Sequence, residues 1–210
     1  MKNRSHGFTL MELMVTLAIA ATVIGIGVPS YREFSRNSRM VSVANDILGG
    51  VLTARTEAIK RQLPKGVISV CPSTDPKASS PKCAVDGTQN FDGWLVFVDA
   101  DSDCDVGATE EVLRIGERID LGNTPVQHVN SYANGSCFSF APTGFTASTK
   151  RAAATRVIFC DERGNVQQGN LTQGTSKLSI ARGLEVTTTG RARITRDLEE
   201  LKKWNDAKCP

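Results

Sequence analysis

Glu12 is the one charged residue in an otherwise apolar run, residues 8–28. A carboxylate near one end of a membrane-length helix is costly unless a partner neutralises it. Its presence therefore implies a partner. A second set of acids, Asp99, Asp101, Asp103 and Glu110, falls at positions 1, 3, 5 and 12 of a twelve-residue calcium loop, a spacing that wraps oxygens around one hard cation. Cys104 stands at the sixth position, where such a loop requires glycine for its sharp turn, so a solvated acidic hairpin tip is the competing reading. The third set lies in Thr188-Thr189-Gly190-Arg191-Ala192-Arg193. Two arginines one residue apart on an extended segment project to the same side, and the glycine ahead of them lets the backbone approach a ligand closely. Guanidinium groups suit phosphate oxygens, to which each can donate two bonds at once. Lys150, Arg151 and Arg156 could assist. Asp197, Glu199 and Glu200 follow directly and could instead neutralise the pair.

Catalysis finds little footing. Past the basic leader only His128 remains, in a valine-rich segment without a nearby nucleophile. There is no glycine-rich phosphate loop before a helix, no His-Glu-x-x-His and no Gly-x-Ser-x-Gly. The expectation is a binding or assembly protein, with no small-molecule substrate and no cofactor unless calcium. The six cysteines, Cys71, Cys83, Cys104, Cys137, Cys160 and Cys209, all follow the apolar run, and none forms a Cys-x-x-Cys clip. An even number confined to the exported part reads as three disulfides made in an oxidising compartment.

The elements that must position these residues follow from periodicity. Residues 8–28 span roughly 30 Å as a helix, enough for a bilayer core. Beyond them Ala44, Ile47, Leu48, Val51, Leu52, Ala58 and Ile59 recur at helical spacing, with Arg55, Glu57 and Lys60 between. The pattern predicts one long helix of roughly 80 Å, kinked near Pro29, amphipathic in its distal half and ended near Leu63-Pro64. Strand character follows at 67–71, 94–98, 111–117, 126–132, 137–140, 155–161 and 177–186, with a polar loop over 72–90. The expected fold is α+β, an antiparallel sheet laid on the distal helix. Its parts are a leader (1–7), a membrane or filament-core segment (8–28), the amphipathic half (29–63) and a β-rich domain (64–210). Removing Lys2 and Arg4 with the leader takes the formal charge from +3 to +1. Net charge then predicts no polyanion binding, but basic residues gather at 150–163 and from Arg182 onward, so any anion must bind there. Thr195 is the expected cap of a short helix near the end.

The leader, with Lys2 and Arg4 before Gly7-Phe8-Thr9-Leu10-Met11-Glu12, resembles the class III leader of type IV pilins and type II secretion pseudopilins. The resemblance implies cleavage by a prepilin peptidase between Gly7 and Phe8, methylation of the new amino terminus, and pairing of Glu12 with the amino terminus of a neighbouring subunit. It also implies a single-pass inner-membrane precursor with its C-terminal domain in the periplasm, then a place in an extracellular filament. Cys71, the polar loop to Cys83, and Asp92-Gly93-Trp94-Leu95-Val96-Phe97-Val98-Asp99 are similar to the central signature of the FimT, FimU and GspH group of minor pilins and pseudopilins. Gly190-Arg191-Ala192-Arg193 resembles the Gly-Arg-x-Arg motif of FimT-type pilins, which implies capture of double-stranded DNA in natural transformation. The other expectation is a purely structural minor pilin or pseudopilin. Cys71 with Cys83 is local enough to expect; Cys137 with Cys160 suits neighbouring strands, leaving Cys104 with Cys209, although sequence does not fix connectivity.

Overall fold

Helix α1 (Leu10–Arg61) begins where Thr9 turns its side chain back on the first turn, its Oγ1 accepting the Glu12 amide at 3.2 Å. The computed structural model describes residues 9–84, 93–116, 127–130, 137–150 and 155–204. The chain divides into two units, residues 1–38 and 39–210. In the first unit the helix is apolar and exposed, with Leu10, Met11, Leu13 and Met14 all open. By length and composition it can cross a membrane. The helix runs on through Pro29 rather than breaking there. Gly7 and Phe8, the expected cleavage site, lie outside the described residues.

In the second unit the remainder of α1 buries Met40, Val43, Ala44, Ile47, Val51, Ala54 and Ala58, a stripe at the helical period. That stripe meets two antiparallel sheets where a single sheet was expected. The first has the order β3-β2-β1-β5, formed by β1 (Val67–Ser73), β2 (Gly93–Asp99), β3 (Val112–Gly116) and β5 (Phe138–Phe140). The second runs β4-β6-β8-β7 with β9 also on β8, from β4 (Gln127–Asn130), β6 (Arg156–Cys160), β7 (Gln167–Gln173), β8 (Ser176–Val186) and β9 (Ala192–Asp197). Ile68, Val70, Trp94 and Val96 of one sheet and Phe159, Leu184 and Val186 of the other share a core with the helix. The fold is thus α+β, a long N-terminal helix whose distal half packs on antiparallel sheets. Helix α2 (Leu198–Lys203) is capped by Asp197, not Thr195: the Asp197 carboxylate accepts from the amides of Glu199 and Glu200. Leu201 and Trp204 then pack over Ile158 and Ala181.

The disulfides correct two expected pairings. Cys71 joins Cys83 as expected. Cys104 joins Cys137 with Cα atoms 5.9 Å apart, not Cys209, and Cys137 does not join Cys160. The reason is sheet membership: Cys137 leads into β5, which pairs with β1 in the first sheet, whereas Cys160 ends β6 in the second. Cys160 is itself disulfide-bonded. Cys209 lies outside the described residues.

Candidate functional site

The acidic loop follows β2 and is held from beneath. Asp99 is buried, and its carboxylate accepts from Ser69 Oγ at 2.9 Å and from the amides of Asp103 and Cys104 at 2.9 and 3.1 Å. Burial pushes its pKa above the usual carboxylate value, and those hydrogen bonds only partly offset this. Asp99, Asp101 and Asp103 bring oxygens within 4.8 Å of one another, the only such group among the described residues. Glu110, the twelfth position, does not join them. Its oxygens accept the amides of Ala100 and Gly107, at 2.7 and 2.8 Å. Asp101 is met by the Lys150 ammonium at 2.8 Å, which holds its carboxyl below the usual range. Cys104 adopts φ 67°, the left-handed backbone that glycine would supply at that position. The turn is therefore made, but three carboxylates fall short of the six to eight oxygens calcium takes.

The arginine motif is placed on the β8–β9 hairpin. Gly190 has φ +76°, and a Cβ there would lie 2.0 Å from the Gly144 carbonyl oxygen. Its freedom serves contact with another backbone. Arg55 of α1 completes that contact: Nε donates to Gly144 O at 3.0 Å and Nη2 to Thr189 O at 3.3 Å. Read in the sequence as an outward charge between apolar positions, Arg55 instead clamps the hairpin turn to the turn around Gly144.

Arg193 sits opposite Glu185 in the ladder, and Glu185 sits opposite Arg156 on its other side. Arg156 reaches Glu185 at 2.9 Å and lies over the Trp204 ring at 5.2 Å, while Arg193 reaches Glu185 at 2.6 Å and also Glu200. Glu200 in turn accepts from Thr195 Oγ1 at 2.7 Å. Burial raises the Glu185 pKa, but the two arginines outweigh it and hold the carboxyl below its usual value. Glu200 and Glu185 raise that of Arg193. Of the expected phosphate contacts, Lys150, Arg156 and Arg193 are thus matched by carboxylates. Arg151 lies outside the described residues. Arg191, at the hairpin tip, is exposed and has no ion pair among the described residues.

Trp94 is positioned just as closely. Its Nε1 donates to Asp46 at 2.7 Å, Arg114 lies over its ring at 5.1 Å, and Gly50 and Gly116 leave room on its faces.

Residues 43–190 match the family described as "Type II transport protein GspH", and residues 2–28 match the "Prokaryotic N-terminal methylation motif". Two crystal structures of the type IV minor pilin FimU of Pseudomonas aeruginosa (strain PAO1) are similar at 16% and 17% identity. They cover 80% and 84% of this chain and 95% and 96% of theirs, with TM-scores of 0.38 and 0.42. No curated protein matches the chain.

Proposed function

The chain belongs to the GspH family, and from that premise we propose that it is a structural minor subunit, cut between Gly7 and Phe8 and built into a filament through Glu12. The family and the N-terminal methylation motif make it a minor pilin or pseudopilin, with other pilin-like subunits and the prepilin peptidase as partners. The observation that carries the assembly role is the isolated carboxylate in the first turn of an exposed apolar helix. In a bilayer or a filament core that charge is tolerated only with a counter-charge. The new amino terminus of a neighbouring copy supplies one. Such a subunit enters the inner membrane as a single-pass precursor with residues 39–210 on the periplasmic side, and it has no catalytic step.

The test separates insertion from assembly. Glu12→Ala should leave membrane insertion intact, since removing a charge favours the bilayer, and should sharply reduce the protein recovered in sheared filaments. Equal recovery of variant and wild type would remove the role given to Glu12.

DNA capture is the second reading, supported by Arg191 at the exposed hairpin tip. It is weakened by the carboxylates that already hold Arg193, Arg156 and Lys150. Natural transformation would rest on that one guanidinium. The acidic loop, whose carboxylates are met by amide, hydroxyl and Lys150 donors of the chain, is read as a hydrogen-bonded acidic tip without calcium.

A further inference from the structure

The second sheet holds positive charge in its interior that has no ion pair among the described residues. Arg182 of β8 pairs with Phe159 of β6, and Val157 pairs with Leu184 two places along, so Arg182 shares the sheet face that carries the apolar core. It is only 3% exposed. Its Nη1 donates to the carbonyls of Ser179, Ile180 and Ala181 at 3.0, 2.6 and 3.1 Å. These belong to the stretch where β8 and β9 slip register between Leu178 and Gly183. Its Nε has no acceptor among the described residues. Arg196 of β9 comes to the same stretch, with Nη2 donating to Gln168 Oε1 and, at 3.4 Å, to Ser179 O. The Arg196 Nε is likewise buried, without an acceptor among the described residues. No described carboxylate hydrogen-bonds or ion-pairs with either guanidinium. The nearby Asp161 is already bound to Arg163 at 2.6 Å.

Burial, with Arg196 and Arg163 close by, pulls Arg182 down to about 10, so it still carries its proton at neutral pH. Buried charges are as a rule paired, and buried N–H groups as a rule have acceptors. Two guanidiniums whose buried Nε groups have no acceptor among the described residues, both within one register slip, mark a place suited to a further acceptor.

We propose that Arg182 and Arg196 form an internal receptor for a small oxyanion of the phosphate class. Both arginines come from the basic segment that begins at Arg182, the region to which the charge pattern assigned anions. Size follows from burial: a group 3% exposed is out of reach of a duplex backbone, which leaves a free ion. Charge follows from the count, since two unmatched cations favour a dianion over a monocarboxylate.

The experiment follows thermal unfolding of the full-length chain in detergent against sodium phosphate, sodium acetate and duplex DNA, each at an ionic strength matched with sodium chloride. Phosphate should raise the melting temperature saturably, and acetate and DNA should not. Arg196→Gln, at a half-buried position that does not threaten folding, should shift the phosphate midpoint about tenfold or more, as loss of one charge-assisted hydrogen bond implies. Arg191→Gln should leave it unchanged. A phosphate response no larger than that of chloride, an equal response to acetate or DNA, or an unchanged midpoint in the Arg196 variant would each overturn the proposal.

Discussion

At the scale of single residues, the two arginines of the hairpin motif have separate fates. Arg193 is half exposed and matched by two acids, so Arg193→Gln should lower stability by about 1 kcal/mol, the upper end for such pairs. Arg191→Gln should change it by less than about 0.5 kcal/mol. The loss at Arg193 should depend on pH. Glu185 titrates below its unfolded value, so its contribution is fully present above the ordinary glutamate range and fades as pH falls through the lowered folded pKa. Chemical denaturation of both variants at pH 7 and near pH 3 checks this; a wild-type-to-Arg193→Gln gap that does not narrow in acid contradicts it. In gel retardation at several salt concentrations, any DNA binding carried by the tip should be weakened in the Arg191→Gln variant, with about one unit less salt slope. The sequence displayed the motif and, in Glu200, one of the acids that meets it. Glu185 stayed hidden, because it becomes a partner only once β8 pairs with β9.

The elements were legible where periodicity was strong and illegible where polar residues concealed it. Helix α1 ends at Arg61 as its apolar spacing implied, and seven of the strands fall within two residues of the alternating segments. Strand β7 escaped because Gln167-Gln168-Gly169-Asn170-Leu171-Thr172-Gln173 buries almost nothing and follows a register shift. Nor did sequence reveal that the strands divide into two sheets, the fact that misdirected the cysteine pairing. One tight joint between elements is α1 against β2. A Cβ on Gly50 would approach the Trp94 ring to 2.6 Å, and Trp94 cannot move aside without losing Asp46 and Arg114. Helix propensity alone makes Gly50→Ala stabilising by about 1 kcal/mol. The contact should reverse that sign, giving a net loss of about 1–3 kcal/mol from overpacking. Urea unfolding decides between them, and a stabilised variant would mean the ring yields freely.

Across the whole molecule, the covalent links and the acidic loop converge at one place. Cys104–Cys137 joins that loop to the entry of β5, and Ser69 and Ser139 connect beneath it to Asp99. Opening that disulfide, which spans 33 residues, should cost about 3–4 kcal/mol in the chain-entropy model. One melting series tests both halves of this description. Cys104→Ser with Cys137→Ser should melt well below the wild type, while millimolar calcium should not raise the wild-type melting temperature. A calcium-dependent rise would restore Asp99, Asp101 and Asp103 as a metal site. The membrane-length helix was readable because its apolar run is continuous in the chain. The cross-links were not, because they depend on which sheet each strand joins.

Gly190 carries the broadest consequence. Its positive φ and its contact with the Gly144 carbonyl are demands of packing, and Arg193 answers to Glu185 and Glu200. Purifying selection for a sound hairpin would therefore preserve Gly-x-x-Arg in a lineage that never handled nucleic acid. A genome survey using the four-residue pattern would collect such lineages alongside true DNA receptors. The position that can drift apart between the two groups is 191, and the acids at 185 and 200 mark the chains in which the second arginine is already engaged.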